Sequence, residues 1–574
     1  MWDAGRYVWN AVAGVAAGVV LAAVIRPGSG WNRAESVEAK PDRPPVARDL
    51  AASSSGPGGT AVPDPLPPDR PVATLYERPP SPPSIGALSS RVFIRSRPTA
   101  RSAEIGTLAL GTAVRRRELE PVSHTGCRRG WYAVEPEGYV CLDDSTTLDV
   151  DQHPLMRAKR HHRGDFSRPV PFAWGRSFGA TPRYRRLPTE SEQRGTEPLL
   201  VRHLERVRLA RDSSNRQHRS LLGVDLGRPK SPIPSFLLDR ALSPWSIVHT
   251  PGDLRAGYDL VPRRSTVAWT DEFFAEGRSW VLTDDLLVVP KDRLERLEPS
   301  RFSGRLLDAH ESLPFAFVRG GDRQKYRLVP VVSDAPAPPP AKDLLESPFA
   351  ALVERAARAV LLAAARSHAP VRLTATGDSW SRLSWVSLTG QVRVERGERF
   401  LEVGGGDWIR ARDAAIVEYR HPRSIPAGEK WIDVSIANGT LVAYEGERPV
   451  FATLISPGAN GYRRVDGKPA RWTTPPGTFR IEWKHLSTTM SPDPERESFY
   501  LSQVPYTQFF HLPFALHAVY WHDRFGEPKS GGCVNLSVSD ARWLFFWTEP
   551  AGPDGWHAVR SGGDRGSGTW VHVH

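Results

Sequence analysis

One thiol and three histidines near the end of the chain have the residue types for acyl-transfer chemistry. Cys533 stands in KSGGCVNLSVSDARWLF, which starts at Lys529, and is one of only 3 cysteines in 574 residues. His511, His517 and His522 all precede it. A free thiol has a pKa of about 8.5, so at neutral pH only a small fraction is thiolate. A histidine within hydrogen-bond reach can take that proton, or hold the thiolate as an ion pair, and so make attack on an amide carbonyl feasible. Gly531 and Gly532 let the backbone turn tightly and approach a substrate closely. The amides of Gly531, Gly532 and Cys533 are then placed to face a developing oxyanion, where loss of one donor typically slows reaction about a hundredfold or more. The Ser530 hydroxyl is read as positioning the loop or substrate. Metal chemistry has no matching pattern, because His161–His162 lacks a nearby cysteine or carboxylate set.

The other two cysteines, Cys127 and Cys141, lie in TGCRRGWYAVEPEGYVC, within one β unit. Pairing them would close a loop worth about 3 kcal/mol and would suit an oxidising compartment; two reduced thiols are the alternative. A pair leaves Cys533 alone, and an unpaired cysteine in an exported protein needs a reason.

The elements that must position Cys533 begin at Trp431. WIDVSIANGTLVAYEGERPVFATLISPG predicts two or three strands with Asn438-Gly439 as a hairpin turn. WTTPPGTFRIEWKH and FYLSQVPYTQFFHLPFALHAVYWHDRFGEP follow, and the closing GTWVHVH reads as an edge or barrel strand. Phe510, Tyr520 and Trp521 are core or cleft-wall residues, roles the sequence does not separate.

The block resembles the YkuD-type L,D-transpeptidase catalytic domain, which exported bacterial enzymes use to remodel peptidoglycan. That pattern is a histidine and a small residue, a gap, then Ser/Thr-His-Gly-Cys-hydrophobic-Arg/Asn. Here His517-Ala518 begins it and Ser530-Gly531-Gly532-Cys533-Val534-Asn535 completes it. Thr474-Pro475-Pro476-Gly477-Thr478-Phe479 matches the T-P-x-G-x-F segment, and Ser539-Asp540-Ala541 with Trp543-Leu544 matches a short helix after the cysteine. The resemblance implies Cys533 as nucleophile and His517 as general base and proton donor. His522 then has a structural or substrate-contact role, His511 a surface or supporting one, and Asn535 is expected to hydrogen-bond nearby backbone. No metal or organic cofactor is implied. One departure stands out: Gly531 occupies the position where the family usually carries histidine. If that imidazole is needed for catalysis, the site is impaired or inactive; if mainly the backbone amide is used there, glycine supplies the same donor.

Upstream, residues 1–26 read as a signal anchor or signal peptide. Tyr7 to Ile25 carry no charge and as a helix would span roughly 28 Å, close to a bilayer core. Residues 27–87 are rich in Pro, Ser and Gly and read as an extended tether. Residues 88–149, with Trp131 and Tyr139 as core aromatics, resemble a bacterial SH3-like domain. A β-rich region of unknown type follows at 150–334, then a linker and helix at 335–369. A second SH3-like unit is expected at 370–425, with Trp408 in the position of Trp131, and the catalytic domain at 426–574. The fold class is therefore mainly β and multidomain, with SH3-like barrel units ahead of a β-rich catalytic domain. The net charge of +12 comes largely from scattered arginines and lacks an RNA-binding aromatic signature, so nucleic acid is not expected as a partner.

The partners implied are peptidoglycan stem peptides, and a membrane if the first helix is uncleaved. The location is the periplasm or cell envelope. A hydrolase within the same fold and a non-catalytic wall-binding scaffold are the alternatives. An NlpC/P60-type hydrolase fits less well, because there the cysteine comes first and the histidine follows.

Overall fold

Short alternating apolar runs punctuated by glycine and proline favour strands, and strands dominate the computed structural model of the protein. It describes residues 83–574 apart from 180, 213–228, 230, 239–257, 309–312, 332–370, 421, 423, 462, 466–467, 470–471 and 492–498. The expected helix at 7–25, most of the 27–87 tether, and the linker and helix expected at 335–369 lie outside the described residues. Among the described residues no helix is long and apolar enough to cross a membrane.

The C-terminal domain is built on two sheets. One has six strands, in the order Arg305–Leu306, Arg448–Leu454, Thr440–Glu445, Lys430–Ser435, Trp570–Val573 and Gly477–Arg480. The hairpin turn at Asn438-Gly439 joins Lys430–Ser435 to Thr440–Glu445, with Gly439 at φ 66°. Trp570–Val573 is not an edge strand. It runs parallel to Lys430–Ser435 and antiparallel to Gly477–Arg480, and this interior place buries Val571 and Val573. The second sheet starts at Val534–Leu536 and continues through Phe514–Ala518, Leu501–His511, Trp483–Met490 and Ala558–Arg560. Between the two lies a core of Ile432, Val434, Tyr506, Leu516 and Val534. Helix Val538–Trp547, capped by Ser537, completes it. That helix is apolar around most of its circumference, which suits a buried position.

The second sheet does not stop at Ala558–Arg560. It is carried on by Glu104–Leu108, Val92–Arg95, Tyr139–Cys141 and Trp131–Ala133, through the pairs Gly106↔Val559 and Thr107↔Ala558. Ser84–Ala87, Ala113–Arg115 and Thr146–Thr147 form a separate three-stranded sheet, so strand structure begins upstream of residue 88. Trp131 is buried and Tyr139 half-buried. Cys127 and Cys141 are joined by a disulfide. None of the described sheets closes into a barrel. In the 84–147 region the strands are divided between two sheets, one of which is shared with the C-terminal domain.

The middle of the chain holds two units of identical topology. Strands Ala173–Ser177, Thr181–Tyr184, Tyr258–Val261, Thr266–Ala275, Arg278–Thr283, Val288–Pro290 and Leu294–Leu297 pair in the sheet order third, second, sixth, fifth, fourth, first, seventh. Phe315–Val318, Arg323–Pro330, Val371–Trp380, Trp385–Glu395, Glu398–Val403, Asp407–Arg410 and Ala414–Val417 repeat that order. In both, a single-turn helix precedes the last strand, at Lys291–Arg293 and Ala411–Asp413. In both, a tyrosine of the second strand meets an aromatic of the fifth edge-on, Tyr184 on Trp280 and Tyr326 on Phe400. The second unit thus starts at Phe315, not at 370. Its first two strands lie before the 332–370 segment and pair with strands after it.

The first unit is locked by a buried charge cluster. Arg278 donates to Glu197 at 2.6 and 2.8 Å and to Asp292 at 2.7 Å. His203 lies 3.0 Å from Asp292. Burial alone would raise the Asp292 carboxyl, but the Arg278 hydrogen bonds and charge outweigh it and hold the group well below the usual carboxylate range. Removing one partner of such a cluster leaves an uncompensated buried charge. Arg278→Met should therefore destabilise this unit by about 3–5 kcal/mol, read as an earlier urea transition. A transition unmoved from wild type would contradict this.

Candidate active site

Parallel pairing of Phe514–Ala518 with Val534–Leu536 sets the geometry. The register is Leu516↔Val534, His517↔Asn535 and Ala518↔Leu536. Side chains alternate between faces along a strand, so His517 and Asn535 share one face. Cys533 lies two residues before Asn535, in the bend that leads into this strand. The Ala515 backbone N–H points to the Cys533 thiol.

His517 is buried, and its Nδ1 lies 2.9 Å from the Ala518 carbonyl oxygen. A carbonyl only accepts, so Nδ1 carries the ring proton and Nε2 holds the free lone pair. Burial lowers the His517 pKa to about 4, with the Ala518 hydrogen bond acting in the opposite sense. Burial pushes the Cys533 thiol up to about 11, against the pull of the Ala515 N–H. At neutral pH the resting pair is therefore neutral thiol and neutral imidazole, not an ion pair.

The catalytic loop is fixed by Ser530. Its Oγ accepts from Gly532 N–H at 3.1 Å and donates to the Cys533 carbonyl. That bond removes Gly532 from the set of oxyanion donors expected from sequence, since its amide already has an acceptor. Among the described residues the amides of Gly531 and Cys533 donate to no protein acceptor. The two glycines also differ sterically. Gly532 has φ 123°, and a Cβ there would fall 2.4 Å from Phe514 Cε1. Gly531 is exposed, and among the described residues a Cβ there would meet nothing nearer than Trp472 Cδ1 at 4.0 Å. Glycine is demanded at 532 and optional at 531.

Asn535 does not bond its side chain to nearby backbone as expected. Its Nδ2 lies 3.0 Å from His522 Nε2, while its buried Oδ1 has no partner among the described residues. His522, whose pKa falls to about 4 through burial and then the Lys529 charge, also receives the Arg524 N–H at 3.3 Å. His511 is exposed and stacks on Phe479 outside the cleft. Phe510 and Tyr520 are core, whereas half-buried Trp521 stands 6.0 Å from the His517 ring and walls the cleft. Thr474 Oγ1 accepts from Gly458 N–H at 2.8 Å, and Gly458 bridges to Ser530, so the T-P-x-G-x-F segment braces the catalytic loop.

The sequence reading missed how the segment between His517 and Cys533 is held. Tyr520 stacks on Trp174 at 4.3 Å, and its hydroxyl lies 2.7 Å from Thr266 Oγ1, both residues of the first repeated unit. Arg382, of the second unit, pairs with the Asp523 carboxylate at 3.1 Å and also donates to its carbonyl. Phe525 stacks on Phe302 at 5.5 Å. The available signal was the recurrence of PFAW and PFAF and of the GRSW and GERF turns, which marks the repeat.

One parallel strand pair thus carries His517 and leads out of Cys533, and among the described residues the Gly531 and Cys533 amides have no protein acceptor. Residues 429–573 match the YkuD family, the L,D-transpeptidase catalytic domain, and the C-terminal segment is a domain of that family. Among solved structures, an L,D-transpeptidase from Xylanimonas cellulosilytica is 23% identical, with a TM-score of 0.18, over 27% of this chain and 65% of that one. One from Stackebrandtia nassauensis is 22% identical, with a TM-score of 0.18, over 27% of this chain and 58% of that one. One from Mycobacterium tuberculosis is 18% identical, with a TM-score of 0.19, over 33% of this chain and 77% of that one. The chain thus spans less than two thirds of the length of the first two. No curated protein matches significantly.

The contrast between the two glycines is directly testable. Gly531→Ala should keep Cys533 labelling by a thiol-directed acylating probe within about threefold of wild type. Gly532→Ala, strained and clashing with Phe514, should lower it by about tenfold or more. Equal effects would refute the steric distinction.

Proposed function

We propose that the protein is a peptidoglycan L,D-transpeptidase. Cys533 attacks the carbonyl of the L-centre–D-alanine bond of a stem tetrapeptide as its thiol proton passes to His517 Nε2. The oxyanion is received by the amides of Gly531 and Cys533. Collapse of the adduct breaks the C–N bond, and His517 returns the proton to the departing D-alanine amine. The thioester then acylates an amine of a neighbouring stem, whose proton again goes to His517, and the thiol is regenerated. The observation that carries this reading is the His517 tautomer, with Nδ1–H on the Ala518 carbonyl and Nε2 left to act as base, on the strand paired with the one that Cys533 precedes.

Hydrolysis of the same thioester is a second reading, since water and an amine compete for one acyl-enzyme. The apolar run at 7–25 and the SH3-like likeness of 88–149 suit an exported, wall-facing protein, held to the membrane if the run is retained.

Mass spectrometry of the purified protein with a stem tetrapeptide or a carbapenem should show a covalent adduct that is lost in Cys533→Ala. Absence of any adduct at saturating ligand would defeat the proposal. Analysis of wall fragments from cells expressing the protein separates new cross-links from trimmed stems. The pH dependence follows from the neutral pair. His517 is a competent base only while unprotonated, so kcat/KM for acylation should hold level from about pH 5 to pH 9 and fall through an acid limb near its pKa of about 4. An acid limb near the usual histidine value of about 6.5 would show that burial does not control this group.

A further inference from the structure

We infer that the outer face of the nine-stranded sheet, where it crosses from the N-terminal strands into the C-terminal domain, binds a glycan strand carrying free carboxylates. The inference rests on the wall-acting reading for the identity of that polymer, and on geometry for its place. Lys484 is buried, and its Nζ donates to the Thr548 carbonyl at 2.7 Å, at the end of helix Val538–Trp547. Side chains alternate along a strand, so Trp483 and His485 point away from that helix, to the outer face. Through the pairs Lys484↔Val559, Val559↔Gly106 and Gly106↔Ile94 the inward row runs on to Ile94. Arg560 and Phe93, next to that row, therefore share the outer face. Phe509, paired directly with Trp483, joins them.

That face is a band of rings and guanidinium groups. Arg91 lies 5.6 Å from the Phe93 ring, and Arg560 lies 5.7 Å from the Trp483 ring. His485 stands between Trp483 and Phe509, at 5.7 and 5.5 Å between ring centroids. Burial lowers its pKa to about 3, with the His557 and Arg91 charges acting in the same sense, so it adds a ring and no charge. The four rings are half-buried, whereas Arg91 and Arg560 are exposed. Among the described residues neither guanidinium pairs with a carboxylate. Between Phe93 and His485 the face carries Thr107 and Ala558, both small and buried, which leaves a low floor between the rings. From Val92–Arg95 to Leu501–His511 the band crosses four strand spacings, roughly 19 Å at about 4.8 Å each. That is long enough for several sugar rings. Aromatic faces suit the C–H faces of sugars, and a guanidinium held flat suits a planar carboxylate. A purely apolar partner would strand both charges without a counter-ion. Wall glycan presents such carboxylates where stem peptides have been cut from it at the lactyl amide.

The test is fluorescence anisotropy of labelled glycan strands, stripped of stems by an amidase, with full-length protein at about 0.15 M salt. Wild type should bind, and strands whose carboxylates have been amidated should bind about tenfold more weakly. Arg91→Ala and Arg560→Ala should each weaken binding about fivefold. Trp483→Ala should weaken it about tenfold, and Trp483→Phe should restore most of that loss. Arg194→Ala removes an exposed charge from another region and should leave the affinity unchanged. Circular dichroism confirms folding for each variant. Failure of wild type to bind overturns the inference, as does equal binding of the amidated strands. So does an Arg194→Ala effect as large as that of Arg560→Ala, or tighter binding of a thymidine oligonucleotide of the same length. Strand binding that depends on Arg91 and Trp483, together with no adduct on Cys533, would keep this face and sink the acyl-transfer reading. An adduct on Cys533 without strand binding would do the reverse.

Discussion

Everything at the candidate site depends on how the short segment between His517 and Cys533 is restrained. His517 lies on one strand and Cys533 just before its parallel neighbour, so the connection must cross over and return in register. Its course is fixed from several sides. Tyr520 is stacked by Trp174, Asp523 is held by Arg382, and Phe525 is packed by Phe302. Gly526 N–H donates to the Ile455 carbonyl at 2.8 Å, and the Gly439 hairpin tip packs directly on Gly526. Geometry held by partners this far apart in sequence turns loop placement into a property of the whole folded chain.

The electrostatics follow from the same enclosure. Burial lowers the His517 imidazole and raises the Cys533 thiol, so both groups lean towards the neutral form. In the proposed acyl transfer, charge separation is then deferred to the moment when a substrate carbonyl can take it up beside the Gly531 and Cys533 amides. Fixed donors at the place where charge develops are worth more in such surroundings than in water.

The parts legible in sequence were those encoded locally. His517, Cys533 and the glycines between them sit close together along the chain, and the T-P-x-G-x-F segment keeps its own spacing. The mainly β class followed from alternation and turn residues. What stayed hidden depends on distant contacts: Thr266 and Tyr520 are 254 positions apart, yet their hydroxyls lie 2.7 Å apart. The start of the second repeated unit was hidden because the 332–370 segment separates strands that pair. The occupied Gly532 amide was hidden because a serine two residues away can serve as a turn, a substrate contact or a staple, and only coordinates show which.

The strand Ala558–Arg560 pairs on one side with Trp483–Met490 and on the other with Glu104–Leu108. Trp556, just before it, is packed against Gly106. The stretch recognisable by similarity, 429–573, is therefore not a unit that can be excised cleanly. Cutting there would strip a neighbour from an interior strand and expose its backbone donors and acceptors, an invitation to self-association. It would also release Tyr520 and Asp523 from the partners that hold the catalytic loop. Homology and autonomy have different borders in this chain.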